Sequence, residues 1–205
     1  RSLAFTIESP WGWYHLILNA YWEALDFELP NVKGGSLSLR AALQDGPVVL
    51  SFYRGSWCPF CNLEFRALHD ILPQIRQHGA QLVGVSPETP DNSMATAERH
   101  QLQFDVLSDV GNRVARDYGL LMQVHPALQS YYLEWGFNLP ELNGDDSFEL
   151  PIPATYIIDT EGTIDSNLVI PQAVRHGGIP RGFACATSGR GDLRSTVGEL
   201  VDRQN

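Results

Sequence analysis

Residues 47–61 read PVVLSFYRGSWCPFC, and this stretch decides the fold. Its first seven residues are mostly apolar and predict a buried β-strand. Two cysteines, Cys58 and Cys61, follow after a short loop, and a helical pattern begins at Pro59. A strand that runs into W-C-x-x-C and then into a helix is typical of a reactive dithiol, because the N-terminus of a helix favours a thiolate over a thiol.

Two other interpretations of the cysteine pair are weaker. Zinc sites with a C-x-x-C pair need a second Cys or His pair at short spacing, whereas His69 and His78 each stand alone. A structural disulfide is disfavoured because the loop that it would close is too short to restrain the unfolded chain. Cys185, in a weakly patterned tail, is expected to be a bystander thiol. We therefore expect redox or nucleophilic chemistry at the dithiol, without a metal or other cofactor.

The composition narrows the class of protein. The chain has 205 residues, 43% of them apolar, which fits one domain with a sizeable core. Its net charge of −10 disfavours a nucleic-acid partner, because phosphate binding needs a basic face. No apolar stretch reaches the about 18 residues of a membrane span, so no membrane partner is expected. A C-x-x-C pair in a cysteine-poor chain indicates a reducing compartment, and we expect a cytoplasmic location.

Strand and helix patterns alternate along the middle of the chain. Strands are predicted at 26–30, 47–53, 81–86, 104–107 and 155–158, with a return strand from 163 after a turn at 159–162. Helices are predicted at the end of 36–43, from 59 to 79, from about 91 to 101, and from a cap at 108–109 to 118. This alternation predicts an α/β fold with a central mixed β-sheet flanked by helices. The dithiol then lies at the carboxyl end of a central strand, where open sheets place their sites.

The helix after the cysteines should bury one face. The apolar residues at helical spacing are Phe60, Leu63, Ala67, Leu68, Ile71 and Ile75. Pro73 should kink this helix and Gly79 should end it. Asp91 or Ser93 is expected to cap the following helix.

The chain divides into three regions. Residues 1–25 are interpreted as an aromatic N-terminal arm, 26–168 as the α/β domain, and 169–205 as a divergent C-terminal tail. Within the domain, 120–150 is a long insert with little periodicity, and it contains the aromatic residues at 131–137. Aromatic residues in a loop usually cover a core, so we expect that role for the insert rather than partner binding.

Five segments of the chain form a specific combination. They are DFELP at 26–30, the run 52–64, GVSPETPDNS at 84–93, VLSD at 106–109 and PIPATYIID at 151–159. Together they resemble the peroxiredoxin-like branch of the alkyl hydroperoxide reductase and thiol-specific antioxidant family, which has a thioredoxin-like fold.

Around the two cysteines, the sequence differs from the pattern that is typical of this family. Typical members carry P-x-x-x-T-x-x-C, together with a distant arginine that helps to hold the peroxide. On that pattern Cys61 stands at the peroxidatic cysteine, whereas Arg54 and Cys58 replace the proline and the threonine. Pro153 stands where the arginine is expected, as in thioredoxins, in which this proline is usually cis and the first cysteine is the nucleophile. The resemblance thus implies a cis Pro153 that places the Ile152 backbone within reach of a substrate chain.

The resemblance leaves two enzymatic functions open. A thiol peroxidase would reduce hydroperoxides through a Cys58/Cys61 dithiol–disulfide cycle, which thioredoxin, glutaredoxin or glutathione regenerates. A thioredoxin-like thiol–disulfide reductase would attack a disulfide with Cys58 and resolve the mixed disulfide with Cys61. We favour the peroxidase on the resemblance, and a non-enzymatic redox-sensing module is the third interpretation. The assembly, a homodimer or otherwise, is left open.

Four neighbours of the dithiol are expected to support it. Trp57 should shield the two sulfurs or simply pack in the core, and Pro59 should pre-set the first helical turn without donating an N–H. Arg54 should stabilise a thiolate or bind an anionic substrate, unless it is a solvated surface residue. Glu64 lies one turn beyond Cys61 and would either accept its proton or pair with a cation or solvent.

Overall fold

The computed structural model describes residues 2–9, 12–19, 23–99 and 102–169, and it describes the backbone alone at 2–9, 12–19, 95–99 and 165–169. The strands are β1 Ser2–Ser9, β2 Gly12–Asn19, β3 Glu28–Pro30, β4 Ser36–Ser38, β5 Val48–Phe52, β6 Gln81–Ser86, β7 Asp105–Ser108, β8 Leu121–Gln123, β9 Glu149–Pro151, β10 Ala154–Ile158 and β11 Ile164–Val169. The helices are α1 Leu39–Asp45, α2 Pro59–Asp70, α3 Leu72–Gln77, α4 Pro90–Arg99, α5 Arg113–Asp117, α6 Pro126–Glu134 and α7 Leu139–Asn143.

A mixed sheet lies at the centre of the described residues, as predicted. Its five strands have the order β11-β10-β5-β6-β7. Strand β5 pairs in parallel with β6 and antiparallel with β10, β6 pairs in parallel with β7, and β10 pairs antiparallel with β11. All five residues of β5 are buried, which explains the uninterrupted apolar run in the sequence.

Successive residues of β5 enter two different hydrophobic clusters. Val48, Leu50 and Phe52 pack with apolar residues of α1 and α5. Val49 and, just after the strand, Tyr53 pack with those of α2 and α3. The alternation arises because neighbouring side chains of a strand point to opposite faces of the sheet. Helices therefore cover both faces, and the dithiol belongs to the second cluster.

The predicted buried face of the helix after the cysteines is confirmed in its later turns, where Leu68 and Ile75 are buried, but not in its first turns. Phe60 is 62% exposed and Leu63 is 56% exposed, so this part of the prediction was wrong. The buried residues of the first two turns are Cys61, Glu64 and Phe65. These three share a face because residues three and four apart are neighbours on a helix. Hydrophobicity alone gave the wrong phase, since a carboxylate lies on the buried side and a phenyl ring on the exposed side.

The end of the first long helix follows the prediction with one refinement. The predicted kink near Pro73 is a break at Ile71, which separates α2 from α3. Gly79 follows α3 with a φ of 70°, in the left-handed region where glycine is favoured.

The helix caps predicted at 91 or 93 and at 108–109 had different outcomes. The cap expected at Asp91 or Ser93 is wrong, because α4 already includes both residues. The cap expected at 108–109 is confirmed only in part. The N-cap residue of α5 is Asn112, whose side chain makes no capping hydrogen bond, and the Asp109 carboxylate instead accepts from the N–H groups of Val114 at 3.1 Å and Ala115 at 2.9 Å. A carboxylate in this place also complements the positive end of the helix dipole.

The insert at 120–150 has more regular structure than its sequence indicates. It contains β8, α6 and α7 and reaches into β9, which pairs antiparallel with β8. Val124, Leu139 and Leu150 form a third hydrophobic cluster, and Trp57 packs against it. Tyr132 and Phe137 pack against this cluster and thus cover the core as predicted, whereas Tyr131 is 49% and Trp135 is 64% exposed, so the prediction was wrong for these two.

The two ends of the chain are described only in part. Within the predicted N-terminal arm, β1 and β2 pair antiparallel, with Ser2 opposite Asn19 and Ser9 opposite Gly12. Cys185 and the tail beyond Val169 lie outside the described residues. None of the helices in the described ranges has the length and apolar character needed to cross a membrane.

Candidate active site

The two cysteines lie where the sequence predicts them, at the carboxyl end of β5 and the start of α2. Cys58 is the N-cap residue of α2, and Pro59 is its first residue. The two cysteines are buried and are not joined in a disulfide, and both belong to the cluster that joins the sheet to α2. Because β5 leads directly into the N-terminus of α2, the two sulfurs lie together in one buried site.

A hydrogen bond between the two thiols separates their pKa values. The bond from the Cys61 side chain lowers the pKa of Cys58 to about 6, with help from the N–H groups of Cys61 and Phe60 and from the charge of Arg54, while burial opposes it. The same bond and burial raise the pKa of Cys61, and the negative charges of Cys58 and Glu64 raise it further. At neutral pH Cys58 is therefore the thiolate and Cys61 the thiol.

Arg54 lies half-buried beside the dithiol, on the loop that follows β5. Its Nη2 donates to the Met122 Sδ of β8 at 3.6 Å. Its Nε is buried and has no hydrogen-bond partner among the described residues. The guanidinium thus places a positive charge and an unused buried donor next to Cys58.

Glu64 is a buried carboxylate on the same face of α2 as Cys61. It is 8% exposed, and its Oε1 lies 3.3 Å from Thr155 Oγ1. Burial raises the pKa of Glu64 to about 7, the nearby Cys58 charge adds to this, and the Thr155 hydrogen bond opposes it. The partner of Glu64 is thus a hydroxyl of β10, and the carboxyl group has a pKa suited to proton exchange near neutral pH.

Pro153 does not have the predicted conformation. The described residues contain no cis peptide bond, so Ile152–Pro153 is trans and the cis prediction was wrong. The Ile152 N–H donates to the Leu120 carbonyl at 2.6 Å, so of the Ile152 backbone, which was predicted to contact a substrate chain, the N–H already has a partner. The insert therefore fixes the backbone here, in place of a substrate chain.

Trp57 connects the dithiol to the insert. Its ring centroid lies 5.6 Å from that of Tyr132 and 5.2 Å from that of Phe137. The same ring packs against the cluster that contains both cysteines, as predicted. Its Nε1 is buried and has no partner among the described residues. Gly55 makes this packing possible, because a Cβ at Gly55 would lie 2.5 Å from the Trp57 Nε1.

Glu88 belongs to the site but was not predicted as a site residue from the sequence, where it appears only within the family segment 84–93. Glu88, in the loop after β6, accepts a hydrogen bond from the Ser56 N–H at 3.0 Å and another from Ser56 Oγ at 2.7 Å. It is 0% exposed. The available signal was a carboxylate just beyond the carboxyl end of a buried parallel strand, where open sheets place functional groups.

The chemistry of this donor set is that of a thiol redox centre. A thiolate, a neutral thiol and a buried carboxyl group lie together, with a cation beside the thiolate. Among the side chains that the structure describes, no three His, Cys, Asp or Glu residues could hold a metal ion together. The arrangement is suited to nucleophilic attack by one sulfur and resolution by the other.

The family model and the curated relatives that match this chain point to the same family. The family model described as AhpC/TSA family matches residues 22–167. Peroxiredoxin Q, chloroplastic, of Populus jackii is 32% identical over 111 residues, which are 53% of this chain and 52% of that protein. This chain thus spans about half the length of the curated relatives that it matches.

Solved structures share the fold. Peroxidoxin BcpB from Mycobacterium tuberculosis matches with a TM-score of 0.58 and 25% identity, over 72% of this chain and 82% of its own. Peroxiredoxin Q from Xanthomonas campestris matches with a TM-score of 0.56 and 16% identity, over 87% of this chain and 89% of its own. The predicted thioredoxin-like α/β fold is confirmed.

Proposed function

Because the chain belongs to the AhpC/TSA family, we propose that it is a thiol-dependent peroxidase that reduces hydroperoxides through Cys58 and Cys61. The observation that carries this proposal is the hydrogen-bonded pair of buried thiols, in which Cys58 is the thiolate and Cys61 the thiol. A thiolate is the nucleophile that the O–O bond requires. The neighbouring thiol is the group that condenses with the resulting sulfenic acid.

The first step is attack of Cys58 Sγ on one peroxide oxygen. The O–O bond breaks, Cys58 becomes a sulfenic acid, and the electron pair leaves with the second oxygen, which takes a proton and departs as an alcohol or water. The guanidinium of Arg54 supports the thiolate before attack and the developing negative charge during it. In this chain Arg54 thereby takes the part that a distant arginine has in typical family members.

The second step is condensation of Cys61 with the sulfenic acid. Cys61 Sγ attacks Cys58 Sγ, the hydroxyl group leaves as water, and a Cys58–Cys61 disulfide forms. Cys61 must lose its proton, and we assign its acceptance to Glu64, because this carboxyl group lies on the same helix face and has a pKa of about 7. Glu64 and the Cys61 thiol then exchange one proton per turnover.

An external thiol completes the cycle. Two thiol groups of thioredoxin, glutaredoxin or glutathione reduce the disulfide and are themselves oxidised to a disulfide. Such reductants belong to a reducing compartment, and a cytoplasmic location is part of this proposal. A homodimer is the assembly we propose to test first. Because both sulfurs are buried, exchange with a protein reductant requires the residues that cover them to move aside.

Turnover of peroxide in the presence of a thiol donor tests the proposal. We expect the wild-type protein, free of catalase, to consume hydrogen peroxide and an organic hydroperoxide catalytically with thioredoxin or glutathione. Cys58→Ser should abolish this turnover, and Cys61→Ser should stop it after one equivalent unless a second thiol resolves the sulfenic acid. Turnover that persists in Cys58→Ser at the wild-type rate would overturn the proposed cycle.

A thiol–disulfide reductase is the second candidate function. A low-pKa Cys58 at a helix N-terminus with a buried Cys61 behind it is also suited to attack on a disulfide. The occupied Ile152 N–H counts against it, because a backbone contact to a substrate chain is missing there. Reduction of insulin disulfides that needs Cys58, beside negligible peroxide turnover, would favour the reductase over the peroxidase.

A further inference from the structure

The loop that carries the dithiol is tied to a buried carboxylate on the neighbouring strand connection. Ser56 donates two hydrogen bonds to Glu88, from its N–H to Oε2 at 3.0 Å and from its Oγ to Oε1 at 2.7 Å. Glu88 is 0% exposed, so water does not compete for these oxygens. Both acceptor atoms of a buried carboxylate are thus used to hold a residue two positions before Cys58.

Glu88 is itself held in place. Its N–H donates to Ser86 Oγ at 3.3 Å, and its carbonyl accepts from Ser93 Oγ at 3.5 Å. The next residue, Thr89, donates its N–H to the Leu142 carbonyl of α7 at 3.1 Å. The carboxylate is therefore a fixed point, anchored to β6, α4 and the insert.

The loop is also fastened on its other side. The Ser56 carbonyl accepts from Asn62 Nδ2 of α2 at 2.8 Å, and the Cys58 N–H donates to the Gly55 carbonyl at 3.2 Å. A Cβ at Gly55 would lie 3.0 Å from the Glu88 carboxyl carbon, so carboxylate and loop are in direct contact. The backbone that leads into Cys58 is thus set from both sides.

We propose that Glu88 is a positioning residue for the dithiol reaction: its two hydrogen bonds to Ser56 hold Cys58 where the N–H groups of α2 and the Cys61 thiol stabilise its sulfur as a thiolate. Glu88 acts through Ser56 and not on the sulfur or the substrate. The inference rests on the proposed function only in that both require a Cys58 thiolate. Thiolate formation can be measured without peroxide, so failure of either claim is distinguishable from failure of the other.

The direction in which Glu88→Gln shifts the pKa of Cys58 shows whether Glu88 acts by positioning Cys58 or by its negative charge. A carboxylate accepts at both oxygens, whereas the glutamine amide has one acceptor and one donor group, so Glu88→Gln directs an N–H at a Ser56 donor. Loss of a negative charge near a thiol would by itself favour the thiolate and lower its pKa. If Cys58 instead moves away from the groups that stabilise its thiolate, the pKa of Cys58 should rise. Tyr53, which directly follows β5, also faces Glu88, and burial raises its pKa above the ordinary range, so it stays neutral and leaves this comparison undisturbed.

The experiment is a pH titration of the Cys58 thiolate by ultraviolet absorbance, checked by the rate of alkylation with iodoacetamide. For Glu88→Gln we expect the pKa of Cys58 to rise by about one unit, so that the thiolate fraction at pH 5 falls about tenfold. Ser56→Ala, which loses one of the two bonds, should give a smaller rise. Ser56→Thr, which keeps both donors, should retain the wild-type value.

A matched control exists at the protein surface. Ser36 Oγ donates to the Glu28 carboxylate across the β3–β4 pair. Glu28→Gln removes a similar serine–carboxylate contact without touching the dithiol loop, and it should leave the titration of Cys58 unchanged. An unchanged or lowered pKa of Cys58 in Glu88→Gln would overturn the proposal, whatever its melting temperature. If that variant does not fold, Ser56→Ala decides in the same way.

Discussion

Thr155 Oγ1 lies 3.3 Å from Glu64 Oε1, and this contact joins β10 to the helix that carries the dithiol. Thr155 Oγ1 is also 3.0 Å from Ser51 Oγ of β5, so a short hydroxyl chain leads from the centre of the sheet to the carboxyl group. Glu64 is held on the buried face of α2 that it shares with Cys61. The fold thereby maintains an ionisable acid beside the redox pair, at a cost in stability that depends on pH.

That cost gives the first prediction. Burial raises the pKa of Glu64 from 4.5 to about 7, so the folded protein binds this proton more tightly than the unfolded chain does. Stability due to this group is therefore highest below about pH 4.5 and falls as the pH rises to about 7. We expect Glu64→Gln to be more stable than the wild type by up to about 3 kcal/mol at pH 8, with no difference at pH 4.

Urea unfolding of both proteins at the two pH values measures this difference. The exposed Glu161 provides the matched control, because Glu161→Gln makes the same change of side chain at the surface, away from the dithiol. A gain from Glu64→Gln that is equal at pH 4 and pH 8 would show that the substitution acts by packing and not by removing a buried charge.

The second prediction concerns the coupling of the two sulfurs. The Cys61 hydrogen bond is the largest cause of the low pKa of Cys58. In Cys61→Ala we expect the pKa of Cys58 to rise from about 6 toward its ordinary value of 9. Absorbance of the thiolate as a function of pH measures it, and Cys58→Ala should show no transition near pH 6. A Cys61→Ala protein that still titrates near pH 6 would contradict the assignment.

The third prediction concerns the charge of Arg54, which lowers the pKa of Cys58. Arg54→Gln should raise that pKa by about half a unit to one unit and slow the reaction with peroxide at pH 6. Arg54→Lys keeps the charge but loses the planar donor fork, so the pKa should stay low. If Arg54 contributes only its charge, the lysine variant will react with peroxide as fast as the wild type. A slow lysine variant with a low pKa would show that the buried Nε donor binds the peroxide.

The fourth prediction uses two phenylalanines of α2. Phe65 is buried and its ring centroid lies 4.2 Å from that of Tyr53, whereas Phe60 is 62% exposed. We expect Phe65→Ala to reduce the free energy of unfolding by about 3–5 kcal/mol. Phe60→Ala should change it by less than about 0.5 kcal/mol. Equal losses, measured by chemical denaturation, would mean that α2 has a different buried face.

Most of the central sheet could be predicted from local sequence patterns. Strand β5 was predictable because residues buried on both faces must form an unbroken apolar run, and the turn at 159–162 was predictable from its Asp and Gly residues. The dithiol was predictable for a similarly local reason, since a strand, a C-x-x-C pair and a helix follow one another directly in the chain.

Other features depend on contacts between distant segments. The bond from Ser56 to Glu88 spans 32 positions, and no spacing rule relates the two residues. The trans peptide at Pro153 accompanies a hydrogen bond from Ile152 to the insert, for which the resemblance to thioredoxins gives no signal. The buried face was wrong only in the first turns of α2, because Glu64 is a buried carboxylate that Thr155 supports and hydrophobic periodicity places such a residue on the surface.

The most direct test of the central claim is to expose reduced Cys61→Ser to one equivalent of hydroperoxide and to identify the oxidised residue. We expect the peroxide to be consumed and dimedone to label a sulfenic acid on Cys58, located by peptide mass spectrometry. In the wild type the same treatment should give an unlabelled protein with a Cys58–Cys61 disulfide. Unconsumed peroxide, or a sulfenic acid that forms on Cys61 in Cys58→Ser but never on Cys58 in Cys61→Ser, would contradict the account.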